Sequence, residues 1–136
     1  MSEKNVQIVK RFFETAAKGD ISGARAVLDP NIEWVEPEVR GLWFSGTHRG
    51  AEGALKEVVA ATFDNVDNFS ISIDEYLDAG ENVIALGTFH GNAKAAGKEF
   101  RIPACFISTV RGDKIVRFRT YHNTAMWLEV VGQPVA

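Results

Sequence analysis

The sequence predicts an α+β domain with helices packed on one side of a curved, mostly antiparallel sheet. Three observations carry this reading. Apolar residues recur at helical spacing near the start, at Val6, Val9, Phe12, Phe13, Ala16 and Ala17. From Phe69 onward the apolar period switches to two, the period of a half-buried strand. The strand segments there are joined by short Gly-containing turns, the connection that antiparallel neighbours allow.

The elements follow in order. Glu3 to Lys18 forms the first helix, with Ser2 as N-cap and Gly19 as the stop. A second helix covers about Ile21 to Leu28 and closes at Asp29-Pro30. Asn31 to Pro37 is a short strand, with Ile32, Trp34 and Glu36 on one face and Glu33 and Val35 on the other. Arg40 to Gly50 is a glycine-bracketed loop that leaves His48 exposed. A third helix, about Ala51 to Phe63, presents Leu55, Val58, Val59 and Phe63 on one side. After the Phe69 strand come strands at Glu81 to Gly91, Lys98 to Val110 and Lys114 to Asn123. A last helix, Thr124 to Val131, ends at Gly132. The order is α-α-β-α-β-β-β-β, and the 136 residues form one domain, 1–136.

A chain of this size buries roughly 70% of its unfolded surface, enough for a full core. Nine Phe and three Trp exceed what a minimal core needs, and part of that aromatic mass is available to line a cavity under the helices. The net charge is −3 and there is no basic stripe, which argues against nucleic acid. The absence of a Lys/Arg-rich amphipathic helix or of a long apolar run argues against a membrane partner. A single cysteine, Cys105, and a start without signal-peptide layout fit a reducing, cytoplasmic setting.

Three stretches, VKRFFETAAKGDISGARAVLDPNIEWVEP, GTHRGAEGALKEV and GDKIVRFRTYHNTAMW, resemble the nuclear-transport-factor-2-like (cystatin-like) superfamily. Within it they are most similar to SnoaL-like and ketosteroid-isomerase-related members. The resemblance implies a cone-shaped, strongly curved sheet, N-terminal helices over its concave face, and a deep pocket, in a homodimer joined through the outer sheet face. The fold hosts enzymes and non-enzymes alike, so it does not choose a reaction. In ketosteroid isomerases the base is a carboxylate just before a proline, and WVEP puts Glu36 there. Their helix tyrosine corresponds to Phe12, which has no hydroxyl, and their acid in the sheet to about Cys105. The Asp-Arg-Asp set of limonene-epoxide hydrolases falls on His90, Thr88 and Thr120. The closing-strand Asp of SnoaL-like cyclases falls on Asn123 or His122.

The candidate catalytic residues are therefore Glu36, His90 and His122. A carboxylate shielded from water and an imidazole, whose ordinary pKa is about 6.5, are the groups that move protons near neutral pH. On the register carried over from the resemblance, His90 and Thr88 line the cavity wall, as do His122, Phe118 and Thr120. Phe12, Trp34, Trp43, Phe44, Cys105 and Asn123 complete the candidate ligand-binding set, and Trp127 is a lid or core residue. The ligand expected is a small hydrophobic, oxygenated molecule. No cofactor is implied, and Glu36, His90 and His122 match no metal-ligand spacing. Two functional classes follow: a cofactor-free isomerase, cyclase, hydrolase or dehydratase, and a non-catalytic binder or carrier with the same pocket.

Overall fold

A computed structural model describes residues 2–94 and 97–131 of the chain. Helix α1 (Ser2–Ala17) already includes Ser2, whose side chain lies outside the described residues, as does the expected stop at Gly132. Val9, Phe12 and Phe13 of α1 are almost fully buried, so its apolar stripe faces the core. Asp20 caps α2 (Ile21–Ala26) by accepting from Gly23 N–H at 2.9 Å.

Strand β1 (Leu28–Val35) begins earlier than the sequence predicts and runs through Pro30. That is tolerated because the ladder between β1 and β6 is broken between Leu28 and Glu33, so the missing N–H of Pro30 forfeits no regular bond. The expected loop at 40–50 contains a short edge strand, β2 (Thr47–Arg49), antiparallel to Glu33–Val35. Helix 51–65 is continuous but not uniform: α3 (Ala51–Ala54) passes through a π-helical turn (Leu55–Ala60) into α4 (Ala61–Asn65).

The long strands β3 (Val66–Ala79), β4 (Asn82–Ala93), β5 (Lys98–Arg111) and β6 (Lys114–His122) form an antiparallel meander. Among the described residues the sheet has six strands in the order β2-β1-β6-β5-β4-β3. The β1–β6 pair is parallel, which makes the sheet mixed. Two irregularities in β3, at Asp67/Ser70 and Ile73/Glu75, bend its edge, as bulges do. The second brings β3 so close to β4 that a Cβ on Gly87 would lie 2.2 Å from the Ser72 carbonyl oxygen. Helix α5 (Thr124–Val131) follows β6 directly. No helix among the described residues is long and apolar enough to cross a membrane.

The core is aromatic. Phe12 meets Trp34 at 5.6 Å and Phe118 at 5.1 Å between ring centroids, and Phe13 meets Phe106 at 4.8 Å. Trp34 and Phe118, paired across β1 and β6, approach to 4.4 Å. Phe118 is 2% exposed. Phe118→Ala is expected to lower unfolding free energy by about 3–5 kcal/mol in urea titrations.

Tyr76 on β3 packs against Phe13. Burial, and then the charge of Glu14, push its phenol up from 10.0 to about 12. Native protein therefore holds this proton more tightly than unfolded chain. The contribution is fully present below pH 10 and is lost as pH rises towards 12. Ultraviolet titration of wild type and Tyr76→Phe is expected to differ by one phenol ionising near pH 12.

Candidate functional site

The site is assembled by the parallel pairing of β1 with β6. Trp34 is opposite Phe118 and Val35 opposite Arg119, so the chain leaving β1 sets Glu36 beside the end of β6. Glu36 N–H donates to the Gly46 carbonyl at 3.0 Å, which ties this exit to the loop before β2. The Glu36 side chain turns inward and the residue is 7% exposed.

A carboxylate so buried needs donors, and three side chains from two strands supply them. Trp34 Nε1–H donates to Oε2 at 2.7 Å. Thr120 Oγ1–H donates to Oε1 at 2.8 Å. His122 Nε2 lies 3.3 Å from the same Oε1. With both Glu36 oxygens acting as acceptors, the imidazole tautomer that satisfies the last contact carries its proton on Nε2. That leaves Nδ1 with a free lone pair.

His122 is itself enclosed, with its side chain 1% exposed. Rings of Phe44, Phe89 and Trp127 surround it at centroid distances of 5.0, 5.4 and 6.1 Å. Its Nδ1 is buried and has no hydrogen-bond partner among the described residues, and the same holds for Trp127 Nε1. Glu36, Thr120, His122 and Trp127 line one cavity, whose remaining wall is largely aromatic and aliphatic. The cavity measures about 60 Å³. One buried water needs roughly 10–15 Å³ on such a measure. The aromatic rings thus fill much of the concavity and leave a small space, a few water volumes in size.

Of the residues named from the sequence, Phe12, Trp34, Phe44, Phe118 and Thr120 line this cavity, together with Glu36 and His122. Others are placed elsewhere. On β4 the inward residue is Phe89, paired with Ile71 and Ile102, so Thr88 and His90 lie on the opposite face. His90 Nε2 bonds the Ser72 hydroxyl there at 2.9 Å. On β5 Phe106 points inward, and Cys105 is on the outer side with Leu86 and Tyr121. These corrections share one cause. The register carried over was off by one residue on β4 and on β5, which moves a side chain to the other face.

Trp43 lies behind the wall and donates Nε1–H to Thr62 Oγ1 at 2.9 Å. Asn123 is a helix cap, its Oδ1 accepting from Met126 N–H at 3.1 Å. His48, expected in solvent, is 9% exposed. Its Nδ1 lies 2.7 Å from Glu57 Oε1 and its Nε2 2.7 Å from the Phe44 carbonyl, so it pins the loop carrying Phe44 to helix 51–65. The sequence reading missed Phe89, Phe106 and Thr62 as wall residues. No local signal marked Phe89, because both faces of β4 carry apolar residues; its pairing between Ile71 and Ile102 in the sheet is what marks the buried face. No group of three or more His, Cys, Asp or Glu among the described residues could hold a metal ion.

Comparison with known proteins agrees with this architecture. Residues 9–118 match the SnoaL-like domain, and the chain belongs to that family. A nuclear-transport-factor-2-like protein from Burkholderia xenovorans is 30% identical, with a TM-score of 0.78 over 96% of this chain and 98% of that one. One from Burkholderia pseudomallei is 21% identical, with a TM-score of 0.87 over 96% and 98%. TerC, co-crystallised with polyporic acid, is 23% identical, with a TM-score of 0.85 over 96% and 99%. No curated protein matches significantly.

Removing the carboxylate strands the Trp34 and Thr120 donors in an apolar wall. An unsatisfied buried group costs about 1–3 kcal/mol. Glu36→Ala is expected to destabilise by about 2–5 kcal/mol on that basis, and Glu36→Gln, which keeps one acceptor oxygen, by clearly less. Thermal and urea unfolding of the two variants measure the difference.

Proposed function

We propose that this protein moves a proton on a small, largely apolar, oxygenated molecule, without a cofactor, and that His122 rather than Glu36 is the group that exchanges it. The observation carrying this reading is the buried, unpartnered His122 Nδ1 on a ring whose Nε2 faces Glu36. Glu36 is poorly placed to act as the base, because its oxygens already face three donors. It holds the imidazole in one tautomer and faces the positive charge that forms when Nδ1 takes a proton. Such a carboxylate–imidazole pair is a general acid–base device, and one placed group of this kind contributes about 10²–10⁴-fold.

The chemistry that fits is removal of a proton beside a carbonyl. The C–H proton passes to Nδ1, the bonding pair moves into the carbonyl as an enolate, and the proton returns to the same or another carbon. Isomerisations and ring closures of the kind found in this family share that step. The cavity of about 60 Å³ favours a single-ring compound over a steroid-sized one. Co-crystallisation of TerC with polyporic acid supports a small organic ligand for this fold.

Exchange of the α-protons of cyclohexanone in D2O, followed by proton NMR, tests the reading. The wild type is expected to accelerate exchange over buffer, and His122→Gln to lose about 10²–10⁴ of that acceleration. Exchange undiminished in His122→Gln would refute the assignment, and binding of the ketone with no exchange by the wild type would make the protein a carrier.

Homodimerisation through the outer sheet face belongs to the same proposal. Tyr121 is 52% and Leu77 39% exposed there. Ile84, Leu86 and Ile107 add half-buried apolar surface on the same side. Sedimentation at micromolar concentration is expected to give a dimer, and Tyr121→Glu a monomer.

A further inference from the structure

We infer that the Trp127 indole N–H is the anchor for the ligand's oxygen, so that the site selects a molecule carrying a carbonyl-type acceptor next to its reactive carbon. The inference rests on the proton-transfer reading of His122 and adds the residue that holds the oxygen of the ligand's carbonyl.

An indole can only donate, and a buried donor in a native protein nearly always has an acceptor. Two of the three indoles here obey that rule: Trp34 donates to Glu36 and Trp43 to Thr62. Trp127 does not. It is 2% exposed, and its Nε1 is buried without a partner among the described residues. Its ring is held by Phe44 at 5.5 Å, Phe89 at 5.6 Å and Phe100 at 5.0 Å, groups whose side chains offer no oxygen.

Two acceptors of the wall already serve other donors. Glu36 serves Trp34, Thr120 and His122, and the Thr62 hydroxyl accepts from Trp43 while donating to the Val58 carbonyl. Among the described residues no acceptor reaches the Trp127 N–H, so a bound molecule's oxygen is the acceptor that we infer for it. The second unpartnered atom of this wall, His122 Nδ1, belongs to the neighbouring ring 6.1 Å away between centroids. An unpartnered donor and an unpartnered acceptor thus belong to two neighbouring residues that both line one cavity. A molecule that puts its oxygen on the first and an adjacent C–H or O–H on the second satisfies both. A donor aimed at an oxygen that gains charge as the proton leaves also stabilises the transition state.

The indole N–H resonances report this directly, because Trp127 is identified as the signal missing from Trp127→Phe. Titration with cyclohexanone is expected to move the Trp127 signal downfield and saturably, and to leave Trp34 and Trp43 nearly in place. Cyclohexane, of the same shape without the oxygen, is expected to bind without that downfield movement. Trp127→Phe is expected to weaken cyclohexanone about five- to tenfold, the worth of one neutral hydrogen bond, and to leave cyclohexane affinity almost unchanged. The inference is overturned if cyclohexanone binds without moving the Trp127 signal, or if both probes move it equally. It is also overturned if the variant loses both ligands alike, or if cyclohexanone does not bind at millimolar concentration. A saturable Trp127 shift without α-proton exchange would end the proton-transfer reading and leave the oxygen anchor standing.

Discussion

A buried carboxylate organises this molecule. Glu36 is almost fully buried, and an unpaired charge there would cost several kcal/mol. Its position is tolerable because the parallel β1–β6 pairing delivers Thr120 and His122 from one strand, while Trp34 comes from its own strand. The two strands that hold the charge are far apart in the chain, so the pairing and the site stand or fall together.

The consequence for chemistry is a division of roles. A carboxylate with a single weak partner is available as a base. One that accepts from an indole, a hydroxyl and an imidazole serves instead as a fixed negative point against which the imidazole is oriented. In the proposed reaction the proton is exchanged one residue outward, at His122 rather than Glu36. The loop carrying Phe44, pinned by His48 to Glu57 and to its own carbonyl, closes the other side of that imidazole. Dryness, orientation and a free ring nitrogen are thus produced by separate parts of the fold acting on one ring.

Aromatic packing sets the scale of the site. The same rings that stabilise the core, among them Phe12, Phe106 and Phe118, are cavity wall, so each gain in packing density reduces ligand space. The concavity expected from a bent sheet under helices is present, but side chains occupy most of it. A small polar-tipped ligand suits what remains.

The element order, the antiparallel meander and the inward face of Ile32, Trp34 and Glu36 were legible in the sequence, because period and turn chemistry are local properties. The three-residue strand β2 was not, since so short an edge has no period of its own. Nor were the faces of β4 and β5. Both sides of β4 carry apolar residues, Val83, Ala85 and Phe89 on one and Ile84 and Leu86 on the other, so alternation establishes that a strand exists without saying which side is inside. Only pairing with β3 and β5 turned Phe89 and Phe106 inward and put Thr88, His90 and Cys105 outside. The sequence by itself determined that a carboxylate and an imidazole were available in a domain with a concave face. The tertiary structure alone decided that Glu36 meets His122 and that Trp127 Nε1 has no partner among the described residues, because those relations depend on register and on which hydrogen bonds are already taken.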